Sequence, residues 1–195
     1  MPKIVDHDAR RHEIAAALWR LAAREGLEAA SLASVATEAG VSKGRVQHYF
    51  GSREELLAFA ATALRERLGE RVRARVLAAG SEPLAVVRAL LAGLLPLDDD
   101  ARADALVGSA FLVRAVVDPV ARERLRTGEE EILAALADGL ARARDTGALA
   151  ASVDPVGEAE VLHALVGGLA DSLLVDRHTP DSALAALDRY LERLA

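Results

Sequence analysis

The stretch Ser31–Glu55, SLASVATEAGVSKGRVQHYFGSREE, decides how this 195-residue chain is read. Ser31 is placed to cap a short helix through Ala39, which Gly40 ends, and Ser42 to cap another through about Phe50. A serine hydroxyl takes up free N–H groups at a helix start, and glycine tolerates the left-handed turn past a helix end. Val35, Val41 and Val46 are spaced to close a miniature core, while Ala36 and Ala39 let the two helices approach. This is the pattern of a helix-turn-helix, whose second helix enters the DNA major groove. Spacing alone leaves an ordinary helix–glycine–helix turn with a solvated polar face equally open.

At 100° per residue the second helix turns Val46, Tyr49 and Phe50 toward one side. Gly44 and His48 then point the other way, with Arg45 and Gln47 on the flanks and Lys43 in the first turn. Arginine can fork onto guanine and glutamine onto adenine, lysine and histidine can reach phosphates, and glycine permits close approach. The N–H groups at the helix start, beside Ser42, can hold a phosphate.

Working outward, Ser52 with Glu55 matches a capping box that opens a long helix to about Ala79. Upstream, a helix from about Asp8 to Arg24 places Ile14, Leu18 and Leu21 on one side. Downstream, Pro83, Pro119, Pro155 and Pro180 each follow a capping residue, the favoured first helical position. The resulting helices cover about 83–95, 99–117, 119–144, 155–176 and 180–194. The fold class expected is all-α, nine helices, with a three-helix head at 1–52 and a C-terminal bundle at 53–195.

Composition agrees. The chain holds 42 Ala and 31 Leu but only three Ile and 3% aromatics, which favours helices over strands. Zero cysteines remove disulfides, thiolate nucleophiles and cysteine-based metal sites. The polar N-terminus and the lack of an ~18-residue apolar run point to a cytoplasmic protein with no membrane association. The net charge of −6 is unevenly spread. Residues 1–52 carry seven Lys/Arg against six Asp/Glu, and the remainder 17 against 24, so the acidity belongs to the bundle.

Residues 8–60, through A-G-V-S-K-G…H-Y-F-x-S-R-E-E-L-L, resemble the N-terminal domain of the TetR family of one-component repressors. The layout of the remainder resembles that family's betaine-regulator-like subgroup. The resemblance implies that Lys43, Arg45 and Gln47 face bases or nearby phosphates, and that His48 and Tyr49 touch the DNA backbone. It further implies that Arg53 holds a phosphate and that Ser34 lies near contacts made by the preceding helix. Most members carry a tyrosine where this chain has Gln47, so that tyrosine's contact cannot be carried over. Tyr49 can equally be a core residue, and Lys3, Arg10 and Arg11 either an arm along a groove or a solvated terminus.

The same resemblance implies a homodimer on a double-stranded operator and a small-molecule effector inside the bundle. Dimer contacts are expected from Leu162, Val166, Gly167, Gly168, Leu169, Leu173, Leu184, Leu187 and Leu191 on the last two helices, although buried helices show such stripes without any partner. The effector candidates are the residues that stand out from the Ala/Leu background: Phe59, Phe111, Arg114, His163 and Asp171. A local hydrogen bond or plain exposure is the competing reading for the polar ones.

No catalytic constellation or cofactor motif emerges. The histidines are scattered, and there is no phosphate loop or G-x-G-x-x-G. Asp98-Asp99-Asp100 lacks the third aspartate of a D-D-x-x-D magnesium motif and reads as a helix N-terminal cap. The remaining alternative is an all-α enzyme, or a helical protein-binding scaffold without DNA binding. The function expected is a ligand-responsive transcriptional repressor, with no enzyme activity and no cofactor.

Overall fold

The computed structural model describes residues 7–195, all of whose regular elements are helical. Nine α-helices follow one another: α1 (His7–Glu25), α2 (Leu32–Glu38), α3 (Lys43–Tyr49), α4 (Arg53–Ala79), α5 (Pro83–Leu94), α6 (Asp99–Val117), α7 (Pro119–Asp145), α8 (Pro155–Leu174) and α9 (Pro180–Glu192). One 3₁₀ turn, Leu27–Ala29, separates α1 from α2. The expected boundaries hold to within about two residues because the local chemistry sets them. Glu82, Asp118, Asp154 and Thr179 each accept N–H groups from the first turn behind a helix-opening proline. Asp98 does the same for α6, accepting from the Ala101 N–H at 2.8 Å, so the acidic run is a cap.

Helices α8 and α9 each end two residues short of expectation, and the cap of α4 differs in detail. Helix α8 stops at Leu174 because Asp176 turns left-handed, at φ 55°. At the start of α4, Ser52 caps the Glu55 N–H at 3.0 Å, but the Glu55 carboxylate reaches past Ser52 to the Gly51 N–H at 2.8 Å.

The chain forms two compact units. The first comprises the described residues up to Glu66 together with Leu106–Glu123, and the second Arg67–Ala105 with Arg124–Ala195. Helices α4, α6 and α7 each contribute to both. In the first unit Leu18, Val35, Val46, Phe50 and Leu56 are fully buried, with Trp19, Tyr49, Phe59 and Phe111 packed around them. The core of the second unit is aliphatic: Leu91, Leu136, Leu140, Leu162 and Leu187 are all at 0% exposure.

Glycine permits two close approaches in the second unit. A Cβ on Gly93 of α5 would lie 2.9 Å from the Val72 Cα of α4, whereas one on Gly139 would meet only the tip of Val87, at 2.7 Å. Backbone cannot yield as a side-chain tip can. Gly93→Ala is therefore expected to destabilise by about 1–3 kcal/mol, and Gly139→Ala by distinctly less, as read by urea denaturation of both variants.

Charged links tie the second unit together. Asp104, 8% exposed, accepts from Arg71 at 2.9 Å and pairs with Arg67 at 3.3 Å, joining α6 to α4. Arg102 donates to the Leu173 and Leu174 carbonyls, both at 2.7 Å, satisfying the free end of α8. Arg88 grips Asp188 with two bonds of 2.6 and 2.8 Å between α5 and α9.

Candidate nucleic-acid interface

The candidate interface is assembled from three helices of the first unit. The Ser31 hydroxyl accepts the Ser34 N–H at 3.0 Å, and the Ser34 hydroxyl accepts the Ser31 N–H at 2.8 Å while donating to the Ala29 carbonyl at 2.8 Å. Ser34 is thus fully engaged in holding the start of α2. At the other end the Val41 N–H reaches back to the Ala36 carbonyl at 3.0 Å and Gly40 to Thr37 at 3.1 Å, with Gly40 at φ 66°. These two bonds form a Schellman closure, which turns the chain tightly from α2 into α3. Ser42 then caps α3 by accepting the Arg45 N–H at 3.1 Å.

Helix α3 is thereby fixed with Val46 and Phe50 at 0% exposure against the core. Lys43, Gly44, Arg45, Gln47 and His48 are all exposed. Among the described residues, the side chains of Lys43, Arg45 and Gln47 have no ion pair or hydrogen bond. An uncommitted row of two cations and an amide on a short, rigid helix can meet base edges and phosphates without first breaking internal bonds. Tyr49 is half-buried, its ring 5.1 Å from that of His48 and 4.9 Å from that of His7 at the start of α1.

Other arginines near the interface do hold the head together. Arg53 donates to the Ala30 carbonyl and, at 2.8 Å, to the Leu27 carbonyl, tying the start of α4 to the 3₁₀ turn. That placement leaves little of its guanidinium for the expected phosphate. Arg11 sits over the rings of Phe50 and Phe59, at 4.7 and 4.4 Å, and pairs with Glu55 at 3.0 Å. Arg10 pairs with Glu13. Of the expected arm, Lys3 lies outside the described residues. Nothing local in the sequence marks Arg11 or Arg53 as struts, since their partners lie 23 to 48 positions away.

Arg20 and Arg24 of α1 both reach Glu38 at the end of α2, at 3.0 and 2.9 Å. The hydrogen bond from Arg24, then that from Arg20, holds the Glu38 carboxyl below its usual pKa. A carboxylate with a depressed folded-state pKa stabilises above its unfolded value, near 4.3, and loses that contribution as pH falls through the folded value. Glu38→Gln is accordingly expected to lower the melting temperature of the head at pH 7. It is also expected to flatten the acid limb of stability against pH, which thermal melts between pH 7 and pH 3 would read.

The effector candidates are placed in different units. Phe59 and Phe111 pack against the core of the first unit, and Arg114 there pairs with Asp118 at 2.7 Å. His163 is half-buried and Asp171 exposed in the second. The expected dimer residues also separate into two kinds. Leu162, Val166, Leu169, Leu173, Leu187 and Leu191 are buried and Leu184 half-buried within the chain's own second core. Gly167 and Gly168 are exposed on α8, with open space where a Cβ would stand.

Residues 14–60 match the family described as bacterial regulatory proteins, tetR family, and residues 83–195 the family described as BetI-type transcriptional repressor, C-terminal. The chain belongs to the TetR family. It is 32% identical over 176 residues to the HTH-type transcriptional regulator PksA of Bacillus subtilis, covering 90% of this chain and 84% of that one. It is 36% identical over 124 residues to the regulator BetI of Burkholderia cenocepacia, a match spanning 62% of each protein. Among solved structures, a transcriptional regulator from Rhodococcus sp. Rha1 superposes with a TM-score of 0.82 at 33% identity, over 94% of this chain and 95% of that one. A regulator from Saccharomonospora viridis in complex with choline superposes at 0.85 with 21% identity, over 95% and 96%, and shares the fold.

The TetR membership makes this chain a DNA-binding helix-turn-helix transcriptional regulator and sets aside the enzyme and scaffold alternatives. Among the described residues no helix is long and apolar enough to cross a membrane.

Proposed function

We propose that this TetR regulator is a homodimeric repressor that binds a palindromic operator through α3 and is released by a small molecule. The observation that carries the reading is the exposed face of Lys43, Arg45, Gln47 and His48, the first three without an internal ion pair or side-chain hydrogen bond, held by caps at both ends of α2 and at the start of α3. In this reading Arg45 and Gln47 read base edges, while Lys43, His48 and the α3 start beside Ser42 and Gly44 meet phosphates. Ser34, Tyr49 and Arg53 contribute by holding the interface in shape. Residues 1–52 form the reading head and 53–195 the sensing and dimerising part.

The dimer contact falls on the exposed face of α8, which presents Val161, Ala164, Gly167, Gly168 and Asp171. The buried leucines behind it hold α8 in place. The two recognition helices of a dimer on a palindrome sit about 34–36 Å apart, one turn of DNA. Helix α4 links sensing to reading, and a coupling of about 1–3 kcal/mol corresponds to a ~5–150-fold change in operator affinity.

The choline held by the Saccharomonospora viridis regulator makes small organic cations the first effector class to try. An aromatic cage is the common way to hold a quaternary ammonium. Of the six aromatic residues, Trp19, Tyr49, Phe50, Phe59 and Phe111 belong to the first unit, and Tyr190 alone to the second. Tyr190 there donates to Glu158 at 2.9 Å. A cation bound within the second unit would therefore rely on polar groups, of which the half-buried His163 is one candidate, and Asp171 would take part only from the exposed α8 face. Phe59, Phe111 and Arg114 would act from the first unit.

Selection of bound DNA from a random pool tests the proposal. Enrichment of an inverted repeat supports a dimeric reader, and enrichment of a single unrepeated half-site, or of nothing, contradicts it.

A further inference from the structure

From Leu106 to Val120 the chain displays aliphatic side chains to solvent: Leu106 at 40% exposure, Leu112 at 52%, Val113 at 70%, Val116 at 66%, Val117 at 80% and Val120 at 61%. At 100° per residue the five on α6 fall within an arc of about 140°, and Val120 continues it into the first turn of α7. No charged residue lies in that arc between Leu106 and Val117. The opposite side of the same helix carries Phe111, packed with Ala110 against the core of the reading head.

We infer that this stripe is an interface for a second copy of the chain, one that ties the two reading heads of a dimer directly together. The inference rests on the dimeric reading proposed above and adds a contact to it. Contiguous apolar surface on the order of several hundred Å² is at the upper end of what monomers expose. A stable interface buries about 800 Å² from each partner. The exposed α8 face, Val161, Ala164, Gly167, Gly168 and Asp171, includes a charge and two residues without side chains, so an apolar stripe elsewhere supplies area that it does not. A twofold contact must also be self-complementary. An uncharged aliphatic stripe meets that condition, because no like charges face each other across the axis. Since Phe111 anchors the helix in the head's core, a stripe-to-stripe contact sets the spacing of the two α3 helices, which is what a palindrome measures.

The chain has no cysteine, so any disulfide formed by a single introduced cysteine is intermolecular. Leu106→Cys, Val113→Cys and Val117→Cys are oxidised separately at micromolar concentration, with Leu77→Cys, 76% exposed on α4, as the control. At least one stripe position is expected to yield a covalent dimer, because Cα atoms near a twofold axis come within the ~4.4–6.8 Å that a disulfide spans. The control is expected to stay unlinked. The double variant Val113→Glu/Val117→Glu alters only exposed sites, and its fold is checked by circular dichroism. It is expected to dimerise at least about tenfold more weakly by light scattering, since like charges would meet at the axis. A wild-type dimer with no stripe cross-link and an unweakened double variant would overturn the stripe while leaving the dimer intact. A wild-type monomer would overturn both.

Discussion

Phe50→Ala is expected to cost the reading head about 3–5 kcal/mol. Phe50 is at 0% exposure, directly after α3, and closes the core formed with Leu18, Val35 and Val46. Arg11 lies over its ring and over that of Phe59, so the substitution also removes a partner from a guanidinium whose Nε is buried without a hydrogen bond. The cavity cannot collapse easily, because the start of α3 is pinned by the Ser42 cap and by the α2 Schellman closure just before it. Trp19 is the chain's single tryptophan, in the same core, with its indole N–H on the Ala60 carbonyl at 3.2 Å. Its fluorescence during denaturation reports the head specifically. An unchanged Trp19 transition would contradict the placement of Phe50.

Leu162→Ala is expected to cost about 2–5 kcal/mol of stability in the second unit. Leu162, at 0% exposure, packs in the core that includes Leu136, Leu140, Leu169 and Leu187. A dimer-contact residue behaves differently: its loss weakens association and spares the protomer. The buried placement predicts a lower urea midpoint by circular dichroism, with the mass by light scattering unchanged below the transition. An unchanged midpoint with weakened association would return Leu162 to the interface.

These two residues show what a sequence makes legible. Helix starts were readable because proline and its capping neighbour act within one turn, and the outward row of α3 followed from phasing against Val46 and Phe50. The leucine stripes of α8 and α9 were readable as apolar faces, but a face does not name its partner. Here most of that surface is buried in the chain's own second core, with α5 and between α8 and α9, and the exposed part of α8 includes Val161, Ala164, Gly167, Gly168 and Asp171. Arg53 and Arg11 eluded local reading because a strut is defined by groups distant in sequence, such as the Leu27 carbonyl or the Phe59 ring. The solvent-facing valines of α6 sat inside a stretch readable only as generally apolar. Their orientation depends on which side Phe111 takes.

The charge asymmetry takes on a definite meaning in this arrangement. An acidic bundle disfavours indiscriminate binding along DNA, whose affinity comes from phosphate contacts. In the proposed function, operator choice then rests on the few exposed side chains of α3, of which Lys43, Arg45 and Gln47 are not restrained by internal bonds.

The most direct test of that claim is a titration of a selected operator with wild-type protein and Arg45→Ala at fixed salt. Arg45 is exposed and has no ion pair or side-chain hydrogen bond among the described residues, so its removal is expected to leave the melting temperature unchanged. Operator affinity should fall by about 1–3 kcal/mol, with discrimination lost at one position of each half-site. Full operator affinity and undiminished discrimination in Arg45→Ala would contradict the assignment of α3 as the reading helix.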